Sequence, residues 1–197
     1  SLSQGLTSVF SANDVCVGET LSFTDLSFGG TPPYMYEWDF GDGNLSILSN
    51  PTHTYSVAGW YTINLIVTDA NGLSDTTFNT LYIYSNPTAD FIWSPVPACV
   101  GLPTCFTDLS TSNSTISLWN WTFDDGSMST MQNPVHTYLW QGFYTVDFSV
   151  TDINGCSSWF VQTVEVDTCS TSCTSTGLNN YTTSKKLLKV TDILGRD

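Results

Sequence analysis

The sequence predicts an all-β protein made of two tandem β-sandwich domains followed by a short C-terminal tail. Residues 16–84 return as residues 99–167 at a constant offset of 83 positions, without a gap. Short stretches in which apolar and polar residues alternate, as in half-buried strands, recur between turn signals about every 8 to 12 residues. No stretch before residue 178 shows the periodicity of an amphipathic helix.

The repeat divides the chain into three parts. We expect the first sandwich over residues 1–85, the second over residues 86–168, and a tail that is rich in Ser, Thr and Cys where it begins over residues 169–197. A repeat of about 80 residues suffices for an independent small domain and exceeds the usual solenoid unit. The linker at 85–88 is short and contains one proline, and it therefore predicts a semi-rigid, end-to-end pair.

About seven strands are predicted in each repeat. The clearest alternation is at 61–68, and its apolar positions recur in the second repeat. An Asn-Gly pair follows, at Asn71 and again at Asn154, and predicts a tight hairpin whose two central residues have positive φ. The strands of the first repeat are predicted near residues 9–12, 20–25, 34–40, 45–48, 51–55, 61–69 and 74–84, and the second set follows 83 residues later.

Charge is distributed unevenly along the chain. Residues 1–184 contain sixteen Asp and Glu and no Lys or Arg, whereas all four basic residues lie between 185 and 196. Such an acidic body repels nucleic acid and anionic membrane surfaces, so we expect neither as a partner. No run of apolar residues is long enough to predict a membrane span. Six cysteines in a low-charge, Thr-rich chain favour disulfides and an oxidising compartment.

Three motifs occur in the same order in both repeats. In the first they are Trp-Asp-Phe-Gly-Asp-Gly at 38–43, Asn-Pro-Thr-His-Thr-Tyr at 50–55, and Gly-Trp-Tyr-Thr-Ile at 59–63. These segments resemble the PKD domain, an immunoglobulin-like β-sandwich of extracellular proteins. The second repeat departs from the pattern at Thr122 and Asp124, where the family usually has Asp and Gly.

The resemblance implies a secreted or outer-surface protein that adheres, spaces or presents ligands and does not catalyse a reaction. We therefore expect a non-enzymatic structural or adhesive protein whose repeats form a rigid spacer or an assembly subunit. The alternative is a polysaccharide- or protein-binding module that accompanies a secreted enzyme. Ligand or assembly contacts are expected at Trp60, Trp140 and Trp159, which are predicted at turns or edges, and core packing is the competing interpretation.

Aspartates gather at the predicted turns and admit two interpretations. They could be solvated turn residues or ligands for calcium, the only cofactor that the resemblance suggests, although no loop has an EF-hand-like run. The two histidines, His53 and His136, lie in a strand motif and are expected to form structural hydrogen bonds rather than to act as ligands or bases. The calcium candidates are Asp39, Asp42, Asp124 and Asp125.

Strand directions in a sandwich indicate how the cysteines pair. The first inter-strand loop and the C-terminal end of a domain lie at the same end of the sandwich. Cys16 is therefore expected near the exit of the first domain, and Cys156, just after the last hairpin of the second domain, near its entrance. We favour an inter-domain bond between these two residues.

The equivalent of Cys16 in the second repeat is Cys99, which points toward the tail. We expect it to bond to Cys169 or Cys173. Two alternatives remain open, an intradomain bond between Cys99 and Cys156 and a local loop closed by Cys99 and Cys105.

The tail contains Lys-Lys-Leu-Leu-Lys-Val-Thr-Asp-Ile-Leu-Gly-Arg at 185–196. This segment resembles the beginning of the C-terminal sorting domain of the Bacteroidetes type IX secretion system. The resemblance implies contact with that secretion machinery and display at, or release from, the outer surface. Without it, the segment would be a short amphipathic strand or helix packed on its neighbour. The matching positions include Lys189, Asp192, Gly195 and Arg196.

Overall fold

The computed structural model describes residues 5–170 and contains strands, turns and loops in that range. The predicted all-β class with two sandwich domains is confirmed. Over the same residues, no helix is long and apolar enough to cross a membrane. Cys173 and the sorting-like segment at 185–196 lie outside the described residues.

The described part of domain 1 forms two layers. A five-stranded sheet has the order β2-β9-β8-β5-β6, and the pairs β1-β4 and β3-β7 form the opposite layer. The strands are β1 (Phe10–Ser11), β2 (Val15–Cys16), β3 (Thr20–Ser22), β4 (Thr24–Asp25), β5 (Met35–Asp39), β6 (Leu45–Ser46), β7 (Thr52–Thr54), β8 (Gly59–Thr68) and β9 (Ser74–Tyr84).

Domain 2 repeats this arrangement. Its five-stranded sheet has the order β11-β17-β16-β13-β14, and its opposite sheet has the order β10-β12-β15. One continuous strand, β12, occupies the place of β3 and β4. The strands are β10 (Phe91–Ser94), β11 (Ala98–Cys99), β12 (Thr104–Asp108), β13 (Ile116–Thr122), β14 (Met128–Ser129), β15 (Val135–His136), β16 (Gly142–Asp152) and β17 (Ser157–Asp167).

Each core lies between the two layers of its own domain. In domain 1 the predicted alternation buries Ile63, Leu65 and Val67 completely, and the equivalent positions of β16 are buried as well. Trp38 fills the centre of this core, where its indole N–H donates to the carbonyl of Leu48 at 2.8 Å. Burying a large apolar side chain stabilises a fold by about 1.5–3 kcal/mol, so these alternating positions supply much of the driving force.

Two short strands, β2 and β11, were not predicted. Each contains two residues and pairs in parallel with the last long strand of its domain, so that Val15 lies opposite Ile83. Strands of two residues are too short to show an alternation of apolar and polar positions, which is why the pattern gave no signal.

The predicted conformation of the Asn-Gly turns is wrong. Only the glycines, Gly72 and Gly155, have positive φ, and the asparagines do not. The N–H of Asp69 donates to the carbonyl of Leu73 at 2.8 Å, which leaves a three-residue loop instead of a two-residue turn. The Asp69 carboxylate accepts the N–H of Asn71 and of Leu73, both at 2.9 Å, and this side-chain capping favours the longer loop.

Candidate functional site

A disulfide joins the two domains. It links Cys16, at the end of β2, to Cys156, just after the last hairpin loop of domain 2, with 5.6 Å between the Cα atoms. Both residues are buried, and Asn113 of domain 2 donates its side-chain N–H to the Ser85 hydroxyl of the linker at 3.1 Å. This is the pairing that the sequence analysis favoured, and it restrains the domains at a second point beside the linker.

A second disulfide lies at the exit of domain 2. Cys99 pairs with Cys169, with 5.2 Å between their Cα atoms, rather than with Cys105 or Cys156. Cys105 is disulfide-bonded as well. Cys99 is the repeat equivalent of Cys16. In each domain, the cysteine at this position therefore forms a disulfide with a cysteine that lies further along the chain, beyond the end of that domain.

The histidines tie a turn to a strand in each domain. His53 Nε2 lies 2.7 Å from Asp42 Oδ2, and its ring stacks on Phe40 with a centroid distance of 4.4 Å. Burial raises the pKa of Asp42, but hydrogen bonds from His53 and Asn44 outweigh this effect and hold that pKa below its ordinary value. The expected structural hydrogen bond is therefore present, and His136 forms the equivalent bond to Asp125 at 2.8 Å.

The aspartates considered for calcium accept hydrogen bonds from other groups of the protein. Asp39 Oδ1 accepts the N–H of Gly41 at 2.9 Å, and Asp124 Oδ2 accepts the N–H of Thr145 at 2.9 Å. Within residues 5–170, no group of three or more His, Cys, Asp and Glu side chains is placed to hold a metal ion.

The three candidate tryptophans are exposed. Trp60, Trp140 and Trp159 expose 73%, 77% and 78% of their surface, so the competing interpretation of core packing is wrong. Trp140 lies in the loop before β16, as predicted for a turn residue. Trp60 and Trp159 lie within strands β8 and β17 rather than at turns or on the terminal strands of their sheets, on the side of the five-stranded sheet that points away from the core.

We call this solvent-facing side of each five-stranded sheet the outer face. In domain 2, four neighbouring strands place one residue each in a row across this face, because Met128 pairs with Thr122, Thr122 with Asp147, and Asp147 with Val161. Residues directly opposite each other on neighbouring strands have their side chains on the same face. The row therefore has a carboxylate near its middle and an exposed apolar side chain at each end.

The outer face of domain 1 contains the equivalent row. Leu45 pairs with Asp39, Asp39 with Asn64, and Asn64 with Phe78. Both ends are again exposed and apolar. The carboxylate stands one strand away from its position in domain 2, yet it still lies between the apolar ends.

A shallow depression of about 550 Å³ lies beside the row of domain 2. Sequence reasoning missed both the rows and this depression. The available signal was the presence of apolar residues at positions where the strand alternation calls for polar ones, such as Phe143 on β16. The depression is lined by Thr122, Asp124, Gly126, Ser127, Met128, Thr145 and Asp147.

A family model described as "PKD domain" matches residues 7–83 and 84–168. The chain belongs to the PKD domain family. PKD domains and other immunoglobulin-like domains are generally non-catalytic modules.

Curated relatives contain segments similar to these PKD domains. A microbial collagenase of Vibrio alginolyticus is 41% identical over 71 residues, which is 34% of this chain and 8% of the relative. The pre-pro-metalloprotease PrtV of Vibrio cholerae is 46% identical over 48 residues, 24% of this chain and 5% of the relative. The chain thus spans less than a tenth of the length of either relative.

Among solved structures, the PKD1 domain of the Vibrio cholerae metalloprotease PrtV is 32% identical to this chain. The match covers 42% of this chain and 99% of that domain, with a TM-score of 0.38. The corresponding PKD1 domain of Vibrio anguillarum Epp is also 32% identical, with 41% of this chain and 95% of that domain covered and a TM-score of 0.37.

Proposed function

We propose that this chain is a non-catalytic structural or adhesive unit of a secreted or cell-surface protein, in which two PKD domains act as a rigid spacer or assembly subunit. The observation that carries the proposal is the disulfide between Cys16 and Cys156. A single linker at 85–88 would let the domains rotate about it. A second covalent link beside it removes most of that freedom.

Nuclear spin relaxation of the amide nitrogens tests whether the two domains move as one rigid body. In the wild-type protein we expect the two domains to tumble with one common correlation time. In the double variant Cys16→Ser/Cys156→Ser, each domain should tumble faster and with its own correlation time. The matched control Cys99→Ser/Cys169→Ser removes a disulfide elsewhere and should leave the common tumbling unchanged. Two independent correlation times in the oxidised wild-type protein would rule out the rigid spacer.

The cysteine chemistry supports an extracellular setting, because disulfides persist in oxidising compartments and are rare in the cytosol. The sequence resemblance of the tail supports export by the type IX secretion machinery. Removal of residues 185–197 from the protein in its source cells should then retain it inside the cell. Unchanged appearance at the surface or in the medium would contradict this route.

A second candidate function is that of a polysaccharide- or protein-binding module accompanying a secreted enzyme. Two observations favour it: Trp60 and Trp159 stand exposed on outer faces, and similar segments occur in a collagenase and a metalloprotease. Exposed tryptophan rings stack on sugars and anchor protein interfaces. Replacing both residues by Ala should abolish retention on an insoluble polysaccharide or protein, and retention that survives the double change would contradict this role.

A further inference from the structure

We propose that the outer face of domain 2 docks a protein segment that carries lysine or arginine side chains. The inference rests on the binding role given above as the second candidate function, and it names the partner of that role. It is carried by the apolar side chains of the face, by the carboxylates placed among them, and by the absence of Lys and Arg from the described residues.

The outer face of domain 2 exposes large apolar side chains that belong to no described core. Phe143, Trp159 and Met128 expose 74%, 78% and 76% of their surface. All three lie in one sheet, on strands β16, β17 and β14. Single exposed apolar residues are ordinary on a soluble domain, but several on the same face of one sheet are typical of an interaction surface.

Carboxylates stand directly beside these apolar groups. Asp147 lies in the row between Met128 and Val161, and Glu165 is the cross-strand partner of Phe143. A lysine or arginine side chain can lay its aliphatic stem on apolar surface while its charged end meets a carboxylate or an aromatic ring. The face offers this combination at two neighbouring places.

Domain 1 repeats the combination with different residues. Asp39 and Asn64 occupy the two middle positions of its row, where domain 2 has Thr122 and Asp147. The carboxylate lies on a different strand in each domain, but both rows have one carboxylate between two exposed apolar ends. Each carboxylate also accepts a hydrogen bond within its own domain, Asp39 from the N–H of Gly41 and Asp147 from the hydroxyl of Thr122, but neither bond requires the exposed apolar ends of the row.

Charge selects the kind of partner. Residues 5–170 contain no Lys or Arg, so none of the described side chains supplies a permanent positive charge to Asp147 or Glu165. An acidic segment would be repelled, and a second copy of this body would meet the same repulsion. A basic segment is the protein partner that such a face attracts.

The depression beside the row suits one basic side chain. Its volume is about 550 Å³, and the residues that line it include Met128, Asp124 and Asp147. An extended segment crossing the strands would place one basic side chain here and a second near Glu165.

The experiment is a titration of isotope-labelled protein with a synthetic peptide in which lysine and tyrosine alternate, followed by amide chemical shifts. We expect the shifts to cluster on β13, β14, β16 and β17 and the affinity to fall with added salt. The variants Asp147→Asn and Phe143→Ala should each weaken binding about fivefold or more. Two matched controls, Asp90→Asn beside β10 and Phe28→Ala in domain 1, change the same charge and another exposed phenylalanine ring elsewhere, and they should leave the affinity unchanged.

Three results would overturn the proposal. Equal weakening by Asp147→Asn and Asp90→Asn would show that the peptide responds only to overall charge. Binding of a neutral polysaccharide such as hydroxyethyl cellulose, lost in Phe143→Ala while the peptide does not bind, would replace the basic partner by a glycan and keep the binding role. If neither probe binds, the binding role fails as well and only the spacer remains.

Discussion

Glycine at position 41 is required by geometry at the scale of a single residue. Its φ is 77°, and an added Cβ would lie 2.5 Å from the carbonyl oxygen of Thr62. Gly41→Ala should therefore destabilise domain 1 by more than about 2 kcal/mol, since a clash adds to the backbone strain. Urea denaturation followed by tryptophan fluorescence measures the loss.

Gly43 provides the matched control for this change. It also has positive φ, at 91°, but nothing lies within 4 Å of an added Cβ. Gly43→Ala should cost only the strain of about 1–2 kcal/mol, less than Gly41→Ala. Equal losses would show that the contact with Thr62 is relieved by small movements. In domain 2, the repeat equivalent of Gly41 is Asp124, which also has a positive φ, 61°, and whose carboxylate accepts the N–H of Thr145.

The acid sensitivity of the fold should depend on Asp42 and Asp125. Hydrogen bonds hold the pKa of each carboxylate below its ordinary value despite burial, which acts to raise it. A carboxylate whose pKa is lower in the folded than in the unfolded protein stabilises the fold at pH values above its unfolded-state pKa. This contribution to the free energy of unfolding is lost as the pH falls through the folded-state pKa. We expect the free energy of unfolding to decrease below about pH 4.

The double variant Asp42→Asn/Asp125→Asn tests this assignment. Its free energy of unfolding should change less between pH 5 and pH 2 than that of the wild-type protein, as measured by urea denaturation across that range. Identical slopes in the two proteins would assign the acid sensitivity to other carboxylates, such as Asp69, whose pKa is also lowered.

Residue roles were predictable where a motif fixes both side chain and neighbours. The hydrogen bond of His53 was expected from the strand motif that contains it. The outer-face rows could not be predicted, because the register of four strands decides which side chains lie side by side. Register depends on contacts between residues that are distant in sequence. Asp39 and Phe78 are 39 positions apart, and their common row is visible only in the folded sheet.

At the scale of an element, the hairpin loop at 69–73 depends on one carboxylate. Asp69 accepts backbone N–H groups from Thr31, Asn71 and Leu73. Asp69→Ala leaves these donors without their partner and should lower the thermal midpoint of domain 1 clearly. The control Asn71→Ala removes one exposed side-chain bond to Thr31 and should have a much smaller effect. Equal shifts would show that water replaces the carboxylate.

Long strands were easier to predict from the sequence than short ones. The long strands β8 and β9 show enough alternation to be placed from sequence, whereas β2 and β11 do not. The hairpin loop was misjudged because Asn-Gly usually marks a two-residue turn, and the competing capping by Asp69 is a side-chain contact that dipeptide statistics do not include.

At the scale of the whole molecule, the two described disulfides should differ in their contribution to stability. Each should stabilise the fold by about 2–4 kcal/mol by restricting the unfolded chain. The bond from Cys16 spans 140 positions and that from Cys99 spans 70, so the first should contribute about 0.6 kcal/mol more. Urea denaturation of Cys16→Ser/Cys156→Ser and Cys99→Ser/Cys169→Ser compares them, and a larger loss in the second variant would contradict the chain-entropy account.

The repeat positions of the cysteines determine how such a molecule can be lengthened. Domain 2 has a cysteine at its entrance, Cys156, and another at its exit, Cys99, whereas domain 1 has Leu73 at the entrance position. Duplication of the gene segment for domain 2 would therefore create a longer chain in which every new junction is covalently locked. Duplication of domain 1 would instead introduce a hinge, so the two domains are unequal as building units although they share one fold.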